Sequence, residues 1–373
     1  MAKGKTRLAH LYGINFMQLL FGILTFFVVA FFQVGGIHGL IYTGFGGRVD
    51  LPLSFAFFDW IPAVYLFITG LGISLQFRNK YTNRTKLLSN LNRKGAFFFV
   101  IGLFFVWQWG MNIFIILGLC LFVSTVFINW NSMVLHALIF GIILASLIMV
   151  NMDVPYFLKF HALDIHKTDT EDFLAFVFFN GYYSFFPWVS FFIAGIAFGK
   201  GSVRPRGFLP PTTILAFGFL IIAFFIQKYC ETIYVSNYQM SKQELYFPFN
   251  QFIFQPTFVF MAIGIAWILT NFINHLFTYF QSLKLILWVK KISSMKFSLL
   301  FFGYVVLTFY MSAFAGNRTY ILAFVYPYWL ILFTGFILWM GYWLCNLWLK
   351  KVNKYPPIEW IIKSISLSSQ EGK

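Results

Sequence analysis

His38 and Asp59 bring an imidazole and a carboxylate to a chain that holds six histidines and eleven acids in 373 residues. An imidazole with a carboxylate is the minimum equipment for general base catalysis on a hydroxyl or an amine. Trp109, Asn112, Tyr183 and Trp188 fall at helix ends or in loops on the same expected side, so they can line one vestibule and hold a substrate. Each has a plainer role beside the chemical one. Trp and Tyr at this level also serve as headgroup anchors, Asp59 also suits a helix N-terminus, and His38, in QVGGIHGLIY, is also a loop histidine. His161 and His166 frame Asp164 in FHALDIH, a set that either holds a divalent ion or stays solvated; the solvated loop is expected, and no metal. The chain lacks GxSxG, GxxxxGK[ST], HExxH and CxxC patterns, which takes away most of the support for ATP-driven transport and zinc-peptidase chemistry.

The elements that must position these groups follow from composition. A chain with 60% hydrophobic, 23% aromatic and 10% charged residues cannot give a globule with a water-facing polar surface. The sequence predicts an all-α, polytopic integral membrane protein. About ten spans are expected, at roughly 12–34, 53–76, 95–109, 112–129, 132–151, 184–199, 211–227, 250–272, 297–315 and 320–349. They make one multi-span domain over 1–349, followed by a basic tail over 350–373. The N-terminal run begins with basic residues as a signal peptide does. It is too long and lacks a small-x-small cleavage site, so it is expected to stay as the first span.

A net charge of +16 would suggest nucleic acid in a soluble protein. Here its distribution follows the rule that basic residues mark the cytoplasmic side, and no nucleic-acid partner is expected. With both termini cytoplasmic, the inside collects the basic loop 77–94, then Lys200, Arg204 and Arg206, then Lys284, Lys290, Lys291 and Lys296, and finally the tail. Nearly every acid falls outside, many of them in two long extracytoplasmic loops at about 152–183 and 228–249. Arg78 and Lys80 thereby anchor the second helix at the inner headgroups. The segment QSLKLILWVKKISSMK reads as a helix on the inner leaflet, drawn to anionic lipid, so membrane lipids are expected partners. Gly70 and Gly72, and Gly195 with Gly199, are spaced for close helix contact. Cys120, Cys230 and Cys345 are too few and too scattered for a disulfide framework and suit packing.

FDWIPAVYLFITGLGISLQFRNK is similar to the segment after the first helix in the transmembrane acyltransferases related to heparan-alpha-glucosaminide N-acetyltransferase and its bacterial relatives. YYSFFPWVSFFIAGIAFGKG resembles a later element of that group, a Tyr-Phe-Pro-Trp start with a Gly-rich helix and a Gly-Lys end. ISSMKFSLLFFGYVV resembles its late Ser-Leu-x-x-Tyr helix. The resemblance implies a fold of the bacterial inner membrane that takes an acyl group from cytoplasmic acyl-CoA and passes it to an extracytoplasmic glycan or lipid-linked acceptor. It implies His38 as the base and Asp59 as its orienter or an acceptor ligand. Trp109, Asn112, Tyr183 and Trp188 would meet the acceptor, and Arg78, Lys80, Arg84 and Lys200 the phosphates of CoA. The family's Asp-x-x-Arg-Gly signature is missing: Asn15 and Gln18 stand where its ion pair would be, and Tyr304 replaces a histidine some members keep. The alternative implied by those departures is a catalytically degenerate subunit that anchors or regulates a membrane or envelope assembly, its external loops meeting envelope protein partners.

Overall fold

The structure, a computed structural model, describes residues 13–25, 60–78, 84–109, 113–151, 173–174, 177–178, 185–200, 214, 216–221, 225, 256–279, 284–314, 327–352 and 355–367. Every regular element among them is helical, in agreement with the all-α expectation. In chain order the helices are α1 (Gly13–Thr25), α2 (Trp60–Phe77), α3 (Arg84–Trp109), α4 (Ile113–Phe127), α5 (Ser132–Asn151) and α6 (Phe185–Lys200). They continue with α7 (Pro256–Tyr279), α8 (Lys284–Ser293), α9 (Lys296–Phe314), α10 (Pro327–Lys351) and α11 (Pro357–Leu367); residues 216–221 are also helical. One helix among the described residues, Leu332–Lys351 within α10, is long and apolar enough to cross a membrane.

Proline sets several of the starts. α7, α10 and α11 begin on a proline, whose missing N–H is one of the donors a first turn leaves unbonded anyway. In α6 the residue before Pro187 is forced out of the helical region, and Phe186 is extended at φ −99° and ψ 124°. Regular helix therefore runs from Pro187.

One segment differs from expectation. The basic stretch expected as a loop over 77–94 is helical from Arg84 onward, because Arg84, Lys86, Leu87, Leu88, Arg93 and Lys94 favour helix and no proline interrupts them. Leu87 and Leu91, four residues apart and buried, supply its packing face. Within the basic tail after 350, α11 forms and buries Ile358 and Ile362 by the same spacing.

The chain forms two compact units. In the unit of residues Leu66–Leu276, α2 packs on α6 at backbone distance: a Cβ on Gly70 would overlap the Phe192 carbonyl oxygen, and one on Gly195 the Phe67 carbonyl oxygen. Phe67, Ile68, Leu71, Phe192, Ile193 and Ile196 fill the seam around them. α3 and α4 form a hairpin that closes in the same way, with Gly118 against the backbone of Phe99. Such close approach brings many atoms of the two helices to van der Waals distance, each pair adding a small attraction.

The other unit combines Met1–Tyr65 with Phe277–Lys373. Its α1 lays Gly22 against Leu300 of α9 and Tyr65, while Gly303 meets Ile337 and Gly341 meets Leu299 where α9 packs on α10. Tyr304 is fully enclosed in that core. A tight turn at Ser294–Met295, with Met295 N bonded to Ile292 O at 2.9 Å, folds α8 back from α9.

Candidate functional site

Three cations converge at one end of the Leu66–Leu276 unit. Arg78, one residue beyond α2, donates from Nη1 to the carbonyl of Gly199 at 2.9 Å, near the end of α6. Arg84, the first residue of α3, lies over the Phe77 ring at 5.0 Å. Lys200 closes α6 and donates from Nζ to Phe127 O at 3.2 Å, at the end of α4, and to Trp130 O just after it. Ser132 Oγ donates to Ala197 O at 3.4 Å, and His136 Nδ1 donates to Ser132 O at 2.6 Å one turn into α5.

Helix C-termini explain two of the three, Arg78 and Lys200. The last carbonyls of a helix have no partner within it and carry partial negative charge, so cations settle there. Desolvation at this position lowers the Lys200 pKa from the ordinary lysine value, whereas its two carbonyl acceptors favour the ammonium form. Cations brought together from three elements make a field that suits an anion such as a phosphate.

Trp188 lies elsewhere. It is buried near the start of α6, packed on Phe191 with ring centroids 5.5 Å apart. Twelve residues of helix separate it from Lys200, about 18 Å along the axis. Trp109 is the last residue of α3. His38, Asp59, Lys80, Asn112 and Tyr183 lie outside the described residues, as do His161, Asp164 and His166. The structure thus brings Arg78, Arg84 and Lys200 together and sets Trp188 apart from them.

A second polar cluster, in the other unit, was not foreseen as a site. Lys296 Nζ donates to Asn15 Oδ1 and Gln18 Oε1, both at 2.7 Å, so two amides of α1 hold a lysine from α9. Beside it Glu359 Oε1 accepts from Phe297 N at 2.8 Å and Ser298 N at 3.2 Å. Ser298 Oγ donates to Glu359 Oε2 and accepts from Ile358 N at 3.0 Å. Glu359 therefore caps α9 from another helix. The signal for it was present in outline: two amides three residues apart share one face of an apolar helix and need a partner there.

No protein-family model, curated protein or solved structure matches the chain.

Proposed function

We propose that the chain is a polytopic protein of about ten spans in a bacterial inner membrane, acting as an acyl-CoA-dependent acyltransferase on an extracytoplasmic glycan or lipid-linked acceptor. Support for the membrane setting comes from large apolar side chains left exposed on its helices, such as Phe309 at 75% and Trp339 at 68%. The observation that carries the functional reading is the Arg78 to Gly199 bond. It joins, at their cationic ends, two of the three segments that carry the resemblance, and α2 and α6 within them pack backbone to backbone.

In this reading Arg78, Lys80, Arg84 and Lys200 attract the phosphates of the donor. His38 accepts a proton from the acceptor as its nitrogen or oxygen attacks the thioester carbonyl. The carbon–sulfur bond breaks, the acyl group stays on the acceptor, and the proton passes to the CoA thiolate. The test supplies labelled acyl-CoA and a glycan-lipid acceptor mixture to the protein in liposomes and follows free thiol release. Turnover is expected, with His38→Ala abolishing it and Arg84→Gln raising KM for acyl-CoA about tenfold at unchanged kcat. Absence of both thioester consumption and CoA retention would exclude the reading.

One observation favours the second reading, a non-catalytic subunit of an envelope assembly. Arg78 and Lys200 both donate to helix-end carbonyls, and Lys296 is engaged by Asn15 and Gln18. Cations used in this way hold a scaffold together without any ligand. Silence in the thiol assay, with recovery of envelope proteins cross-linked to the external loops, is its expected signature.

A further inference from the structure

We propose that α8 and α11, with the end of α10, form a platform that binds the headgroups of anionic phospholipids. The proposal rests on the membrane reading of the chain and not on acyl transfer. α8 turns Val289, Ile292 and Ser293 inward and exposes Leu287 at 64%, Trp288 at 41%, Lys290 and Lys291. An outward face that mixes a leucine and an indole with two ammonium groups does not suit water, and it does not suit hydrocarbon. It suits the boundary between them, where the apolar groups enter the acyl region and the lysines reach phosphate.

α11 repeats the arrangement. Ile358 and Ile362 point inward, Trp360 is 41% exposed, and Lys363 lies over the Tyr355 ring at 3.7 Å and bonds its hydroxyl. Between these helices in sequence, α10 ends on the exposed Lys350 and Lys351. Trp288 and Lys291 of α8 both meet Tyr342 of α10, at 6.4 Å between ring centroids and 5.1 Å from Nζ to ring, which seats α8 against the helix that is long enough to cross a membrane.

Charge decides the partner. Glu359 is the one acid among the described residues, and it is turned onto Phe297 and Ser298 at the start of α9. Against that single described acid stand five lysines, Lys290, Lys291, Lys350, Lys351 and Lys363, so the surface is positive in balance among the described residues. A zwitterionic headgroup offers such a face no net attraction, whereas an anionic one does.

The test uses the full chain reconstituted in phosphatidylcholine vesicles that carry a trace of spin-labelled phosphatidylglycerol or spin-labelled phosphatidylcholine. The motionally restricted fraction of each label reports association. A preference for phosphatidylglycerol of about five-fold is expected, falling to about two-fold or less in Lys290→Gln/Lys291→Gln/Lys363→Gln and retained in the corresponding triple arginine variant. Equal association of the two labels with the wild type, or an unchanged preference in the glutamine variant, would overturn the platform. Displacement of the lipid by millimolar inorganic phosphate would overturn it too, because the site would then recognise a free anion. Failure of the chain to enter vesicles at all would instead remove the membrane reading on which the platform stands.

Discussion

Lys296 shows how one residue can carry a requirement that its neighbours in sequence do not reveal. Its ammonium lies 2.7 Å from each of two amide oxygens on α1, 281 and 278 residues away. Bonds to a charged donor are worth about 1.5–3 kcal/mol, and a buried amide left without its partner costs a comparable amount. Lys296→Met is therefore expected to lower stability by about 2 kcal/mol, read as the unfolding midpoint in detergent micelles. Replacing all three groups, with Asn15→Leu, Gln18→Leu and Lys296→Met together, is expected to recover most of the loss, because apolar groups of similar shape leave nothing unsatisfied. A single variant as stable as the wild type would mean that the three groups contribute nothing as a set.

At the scale of elements, the α2 and α6 pair depends on missing atoms. Gly70 and Gly195 let each backbone reach the other's carbonyl, and the Arg78 to Gly199 bond fixes the same pair at its end. Gly195→Ala must push the helices apart and is expected to cost about 1–3 kcal/mol. Gly141→Ala is the comparison. Nothing lies within 4 Å of where its Cβ would stand, and alanine is the better helix former, so stability should hold or rise by up to about 1 kcal/mol. Both changes are measured by thermal unfolding of the purified protein. Equal effects at the two glycines would show that close approach is not what stabilises the pair.

For the whole molecule, the charge pattern commits the chain to one topology across the proposed bilayer. Single cysteines placed at Arg84 and at Asp164 should react with a membrane-impermeant maleimide from opposite sides of sealed vesicles, once Cys230 is replaced by serine; Cys120 and Cys345 are buried. Reaction from one side only would separate donor and acceptor from the sides assigned to them and end the acyl-transfer scheme. Apolar runs made the helices legible in sequence, because they act over a single span, whereas the starts set by Pro256 and Pro327 were not read there. The helical start at Arg84 was hidden by its charge: cations read as loop when their flanking leucines at 87 and 91 are not seen to be buried. Arg78, Arg84 and Lys200 were named from sequence, but their placement at the ends of α2, α4 and α6 was not visible there. The covalent chain alone determined an apolar helical protein with its cations segregated from its acids, since composition and periodicity are local properties. Only the tertiary structure decided that Lys296 answers Asn15 and Gln18, and that Glu359 caps α9. Hydrogen-bond partners hundreds of residues apart are chosen by how helices pack, and no local pattern records that choice.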